Sequence, residues 1–291
     1  MSLFICTGNK GKLSEFRQSF SQFENVFGLK DICPPFQYLE PTENSDFFLT
    51  NAAIKLFSAL KFLYQNRDQN VLPSKVSSIL VDDSGLIVPQ LNFLPGVHSA
   101  HFAGEPRSDQ KNIDFLTSKI QTCSKARVSQ DEMRLGAFFV CFLYSIEIQS
   151  WEDFHTLNDL DLSEAKIFHN DKTRSENIST MEKNLLGRVK LDTAGGALFE
   201  KIPISLFLPQ FQDNIMLNLS YGFCCGEVSS HSQNLLPGEG HGYDPIFYPL
   251  TNLKKSFASI PLEEKNKLSH RAFAVHNLMK YIHIFNSKEN S

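Results

Sequence analysis

Hydrophobic positions along the chain alternate between short β-type runs and segments of helical spacing. Leu3-Phe4-Ile5-Cys6 is a compact apolar run, and Leu13, Phe16, Phe20 and Phe23 follow it at three- and four-residue intervals. This pattern predicts a strand and then an amphipathic helix. A polar, Pro-containing stretch from Pro34 to Asp46 reads as a loop. Ala52, Leu56, Ala59, Leu60 and Leu63 then predict a helix over about 48–66. Ser78 to Val81 reads as a buried strand, and Leu86-Ile87-Val88 resumes β-type sequence after Ser84-Gly85, where a tight turn is expected. Residues 92–104 predict a Pro-Gly turn and then a short strand, and residues 109–119 a helix striped by Ile113, Leu116 and Ile120. Arg134 to Ile148 is dense enough in Phe, Val, Leu and Ile to be a long strand buried on both faces.

The regularity breaks at about 150–213. Acidic and polar segments there, including His169 to Asn177, are followed by an Ala-Gly-Gly turn at 194–196 and a hydrophobic patch from Ile202 to Pro209. We read this stretch as an insertion, partly folded, in an otherwise single domain spanning 1–291. Strand character returns at Ile215 to Val228, and one helix is expected from about Glu263 to Phe285.

Two polar stretches carry candidate chemistry. Thr7-Gly8-Asn9-Lys10-Gly11-Lys12 joins the first strand to the first helix. A glycine-containing turn at a helix start offers backbone N–H groups and the positive helix terminus to an anion. A solvated lysine turn fits the same residues, and the glycine spacing rules out a Walker A loop. The second stretch is Val81-Asp82-Asp83-Ser84-Gly85, which sets two adjacent carboxylates at the end of a buried run. Carboxylates there are costly unless a metal, a cation or hydrogen bonds compensate them. An ordinary pair of turn residues is the alternative. Asn51 and Lys55 lie one turn apart on the predicted helix, facing either one pocket or solvent.

Composition narrows the classes. Twenty-eight Lys and Arg against 32 Asp and Glu give a formal charge of −4, which excludes a sequence-independent nucleic-acid binder with a dominant basic surface. The 26 Phe and 42% apolar content suffice for a large core. None of the six Cys forms a CxxC pair, so reduced thiols in a cytoplasmic protein are expected. The first residues lack the features of a signal peptide, and no run reaches the ~18 apolar residues a membrane helix needs. No membrane partner is expected.

Taken in order, six segments resemble the inosine-triphosphate pyrophosphatase family of house-cleaning nucleotide hydrolases. They are TGNKGK at 7–12, FFLTNAAIK at 47–55, DDSGLIV at 82–88, LPGVHSAHFAG at 94–104, GEGHGYDPIF at 238–247 and FASIPLEEKNKLSHRA at 257–272. The resemblance implies an α/β fold, an elongated mixed β-sheet with flanking helices in two lobes around a nucleotide-binding cleft. It implies Mg²⁺-dependent hydrolysis of non-canonical purine nucleoside triphosphates (ITP, dITP, XTP) to monophosphate and pyrophosphate by a homodimer. Carried over residue by residue, Asp83 matches the general base and, with Glu43, the metal side. The triphosphate falls on Thr7, Gly8, Asn9, Lys10, Gly11 and Lys12, with Ser84 hydrogen-bonding substrate and Lys265 contacting it. The purine falls on His241, Gly242, Tyr243, Asp244, His270 and Arg271.

The chain departs from the family pattern at His241, where Phe is common, and at Thr50 and Thr42, where Glu and an acidic residue are common. Phe138 replaces a basic residue on the long strand. These departures bear on base preference and metal affinity. They also motivate an alternative, a catalytically weakened nucleotide-binding or scaffold protein that uses the insertion to contact a partner.

Overall fold

The computed structural model describes residues 2–124, 133–160, 172–211, 213–231 and 241–286. Gly238 to Gly240 of the fifth motif, and 161–171 and 212 of the expected insertion, lie outside them. One mixed sheet organises the rest. Strands β1 (Ser2–Ile5), β2 (Asn25–Gly28) and β3 (Ser78–Ile87) run parallel, with β1 in the middle of the three. From β3 onward pairing is antiparallel: β4 (Arg134–Glu147) lies against β3, and β6 (Met216–Ser229) against β4. The far side of β6 is shared end to end by β5 (Gly195–Pro203) and β7 (Phe247–Pro249), giving the order β2-β1-β3-β4-β6-β5. The helices are α1 (Lys10–Ser19), α2 (Phe48–Gln65), α3 (Asp109–Ser124), α4 (Lys172–Gly187), α5 (Leu262–Leu268) and α6 (His270–Asn286).

The long apolar run of β4 is explained by its two covered faces. Phe138, Val140, Phe142, Tyr144 and Ile146 point into a core built with α2, whereas Leu135, Ala137, Phe139, Cys141 and Leu143 point to the other side. That alternation is the period of two that a pleated strand imposes. The α2-side core is continuous and takes in Phe154, Leu157, Ile178, Leu185, Ile204, Phe207 and Leu208 from the 150–213 stretch. On the opposite side there are two cores. One packs α1 and α6 against β1 through Phe16, Phe20, Val275 and Leu278, and the other packs α3 and β7 through Leu116, Ile120 and Phe247.

Four local expectations are corrected. Ser84-Gly85 is no turn, because β3 runs through both in register with Cys141 and Val140. Gly85 serves a close approach instead: a Cβ there would strike the Gly96 carbonyl and lie 2.7 Å from Ser99 Oγ. The segment after Pro95 forms a 3₁₀ helix, Gly96–His101, rather than a strand. Its fold is locked by Ser99 Oγ, which donates to Gly96 O at 2.6 Å and accepts from Leu86 N at 2.9 Å. Gly195 and Gly196 open β5 rather than forming a turn, since their small size admits the rings of Phe273 and Phe223. The single C-terminal helix is two. Ser269 takes an extended conformation (φ −75°, ψ 153°) and its Oγ accepts from Ala272 N, capping α6 as α5 ends.

Candidate functional site

A cleft of about 850 Å³ opens where the turn after β1, the 40–43 loop, β3, the 98–101 segment and the start of α6 converge. Its shape follows from the parallel pairing of β1 with β3, which places the exit of β1 beside Asp82 and Asp83. Asn9 caps α1, its Oδ1 accepting from Gly11 N at 2.9 Å and Lys12 N at 3.1 Å. Thr7, Gly8, Asn9 and Lys12 line the cleft, whereas Lys10 is exposed outside it. Gly11 matters for packing, because a Cβ there would lie 2.9 Å from the His241 ring.

The two adjacent aspartates point to opposite faces of β3. Asp82 shares its face with Leu80 and Leu86, toward α1 and α6, and its Oδ2 accepts from Lys12 Nζ at 2.8 Å with Arg271 Nε at 3.7 Å. Burial alone would raise its carboxyl, but Lys12, Arg271 and Lys55 outweigh it and hold the group well below the usual range. Asp83 shares its face with Val81 and Ile87, toward α2. Its Oδ1 accepts from Ser84 N and lies 3.8 Å from Lys55 Nζ, while Oδ2 is buried without a hydrogen-bond partner. Burial, reinforced by Glu43 and Asp82, raises it to about 6 despite Lys55 and Lys12. Lys55 Nζ also contacts Glu43 Oε2 at 2.6 Å and donates to Asp82 O at 3.0 Å. Although Lys55 is buried, these three carboxylates keep it charged.

A second ionic cluster closes the cleft's other wall. Glu15 of α1 is 6% exposed and accepts from both Arg271 and Lys265, the latter at 3.4 Å. Lys265 also donates to Asp244 Oδ2 at 2.6 Å, and Arg271 Nη2 to Ser84 Oγ at 3.2 Å. The break at Ser269 lets α5 and α6 present Lys265 and Arg271 to one carboxylate. Asp244 is further engaged by His241 N, and Tyr243 OH donates to Ser99 O, so both hold the loop rather than leaving polar atoms free. His270 stacks on Phe139 with ring centroids 4.9 Å apart and planes 14° apart. Burial, then Arg271 and Lys265, lower it well below its usual range, so its imidazole is neutral.

The structure therefore brings Thr7, Gly8, Asn9, Lys12, Glu43, Asp83, Ser84, His241, Gly242, Tyr243, Asp244, Lys265, His270 and Arg271 to one cleft, with Lys10 and Gly11 outside its lining. Glu15 and Phe139 were not singled out by sequence reasoning. Glu15 meets partners about 250 residues away, a relation no local spacing carries. Phe139 stood inside an apolar run that predicted only a strand. Asn51 and Lys55 do face one pocket, and Asn51 fixes the 45–51 turn by pairing with both the N–H and the carbonyl of Ser45.

A "dITP/XTP pyrophosphatase" of Staphylococcus aureus is 25% identical over 280 residues, covering 96% of this chain and 95% of the relative. A protein of the same name from Listeria innocua is 27% identical over 279 residues, covering 96% and 93%. A solved HAM1 protein of Coxiella burnetii superposes with a TM-score of 0.58 at 21% identity, covering 97% of this chain and 98% of that one, which supports the fold. The family model for the Ham1 family matches residues 3–159 and 168–281. The chain belongs to the Ham1 family.

Proposed function

We propose that this cleft hydrolyses dITP- and XTP-type nucleoside triphosphates, ITP included, to the monophosphate and pyrophosphate, with Asp83 as the proton acceptor. The observation that carries the reading is Asp83 itself: a buried carboxylate with an unpartnered oxygen, raised to about 6, beside a lysine and in one cleft with the turn that opens α1. A group so tuned is largely ionised at neutral pH and still basic enough to take a proton.

The donor set also suits Mg²⁺. No cluster of three His, Cys, Asp or Glu able to hold a metal exists among the described residues. Magnesium asks for less, since one or two carboxylates with substrate phosphates and waters complete its shell. Asp83 and Glu43 would hold it, both bordering the cleft and now bridged by Lys55. When bound, the ion neutralises phosphate charge and acidifies water.

The chain's own groups do the rest. The N-terminus of α1 and Lys12 hold the phosphates, Arg271 and Lys265 add positive charge, and the Phe139–His270 stack offers a flat wall to the base. Asp83 Oδ2 takes a proton from water as its oxygen bonds to the α-phosphorus and the bond to the pyrophosphate oxygen breaks. A neutral His270 discriminates by hydrogen bonding, which can separate 6-oxo from 6-amino purines by large factors. A cytoplasmic homodimer belongs to the same reading, and sedimentation analysis of the purified protein tests the dimer.

Purified protein is expected to release pyrophosphate from XTP and dITP faster than from ATP or GTP. Asp83→Asn is expected to lower kcat by about 10²–10⁴ while nucleotide binding persists. Unchanged turnover in that variant overturns the role of Asp83. Nucleotide binding without any pyrophosphate release by the parent leaves the scaffold alternative.

A further inference from the structure

The N-terminus of α2 is buried, and the residue that precedes it does not cap it. Phe47 occupies the cap position and makes no side-chain hydrogen bond there. Phe48, Leu49 and Thr50 are at most 2% exposed, so water cannot satisfy the first free N–H groups of the helix. The acceptor comes from α4, more than 130 residues later. Glu182 Oε2 accepts from Leu49 N at 2.9 Å, and the neighbouring Phe48 N–H adds to the favourable field at the carboxylate. Glu182 is 4% exposed and lies on the α4 face shared by Ile178 and Leu185, where helical spacing calls for an apolar side chain. Burial raises its carboxyl to about 7 against those two backbone N–H groups, with no lysine or arginine among the groups that shift it. A buried carboxylate without a cation is costly, and here it is stabilised by the N–H groups and positive end of α2.

What α2 carries gives this contact its consequence. One turn in, Asn51 pins Ser45 and thereby the loop that bears Glu43; two turns in, Lys55 bridges Glu43 and Asp83. The placement of the first turn of α2 thus sets where Glu43 and Lys55 stand relative to Asp83. We propose that Glu182 is a positioning residue for the triphosphate site, a cap supplied to α2 by the 150–213 segment that fixes Asn51 and Lys55 against Glu43 and Asp83. The inference rests on the functional reading above and adds to it a task for a segment outside the shared motifs.

Two variants test it, read by steady-state kinetics with XTP and by hydrogen–deuterium exchange over 46–55. Glu182→Leu restores the apolar stripe of α4 and removes the acceptor, whereas Glu182→Gln keeps one acceptor oxygen. The expected order in both kcat and exchange protection is parent, then Gln, then Leu. The Leu variant should lose about ten- to a hundredfold in kcat with a much smaller change in KM, as displacement of reacting groups by about 1 Å produces. A folded Glu182→Leu protein with parental kcat and parental exchange overturns the proposal. Should that variant not fold, Glu182→Gln decides, since parental values in both measurements overturn it equally. A parent that releases no pyrophosphate overturns the functional reading instead, while the order of exchange protection still reports whether Glu182 holds α2.

Discussion

Asp83 holds its proton up to about pH 6 in the folded chain, against 3.8 for an ordinary aspartate. Between those values the folded state binds more protons than the unfolded one, so this group stabilises the fold below about pH 4 and the contribution is lost as pH rises through 6. Asp83→Asn, which cannot ionise, is therefore expected to melt at a higher temperature than the parent at pH 7.5 and to lose that advantage at pH 4. Thermal melts at the two pH values check it. Glu15 is the opposite case, held in its charged form by Arg271 and Lys265 despite burial. Glu15→Gln leaves two buried cations without their common anion. Breaking a buried pair in this way costs about 3–5 kcal/mol, which denaturant titration at pH 7 would show as a lower midpoint.

At the level of elements, β3 is governed by what passes over it. Gly85 lies beneath the 96–99 segment, so Gly85→Ala should destabilise by about 1–3 kcal/mol, as overpacking does, and should displace Ser99 from the Leu86 amide. Chemical denaturation measures the first effect and loss of amide protection at Leu86 the second. This strand also shows how far the sequence could be read. Apolar runs and helical stripes located β1, α1, α2, α3, β4 and β6, because each buries a face whose period is written in the chain. They failed where glycine or serine acted through a distant partner. Gly85 and Gly195 look like turn formers until the carbonyl of Gly96 and the ring of Phe273 are placed against them. Ser269 interrupts a good helical stripe by capping α6. The stripe of α4 did hold a visible signal, a glutamate where Ile178 and Leu185 demand an apolar neighbour, whose acceptor role required α2 in space. Within the cleft, the ordered motifs named most lining residues, but the pairing of Lys12 with Asp82 and of Lys55 with Glu43 came only from the fold.

Across the whole molecule, the mixed sheet joins chain segments that are far apart in sequence into one charged cleft. Parallel β1 and β3 supply the Thr7–Lys12 turn and the aspartates, antiparallel β4 carries the wall with Phe139, and α5 and α6 return the C-terminal cations. A ligand that bridges these parts is expected to bind the folded chain and not the unfolded one. XTP at a hundredfold excess over its Kd should then raise stability by about 2.7 kcal/mol, seen as a rise in Tm that ATP at equal concentration does not match. No helix among the described residues is long and apolar enough to cross a membrane.

The alternation along β3 has a further consequence for how this site can change. Asp82 and Asp83 are one residue apart in the chain yet answer to different helices, one to α1 and α6 and the other to α2. A carboxylate moved one position forward, as in the double change Asp83→Ser with Ser84→Asp, would arrive among Lys12 and Arg271 rather than beside Lys55. Position along this strand is thus an address of alternating parity, and duplicated acid in the sequence provides no spare. A chain that loses Asp83 can recover a carboxylate beside Lys55 only by restoring one at the same parity.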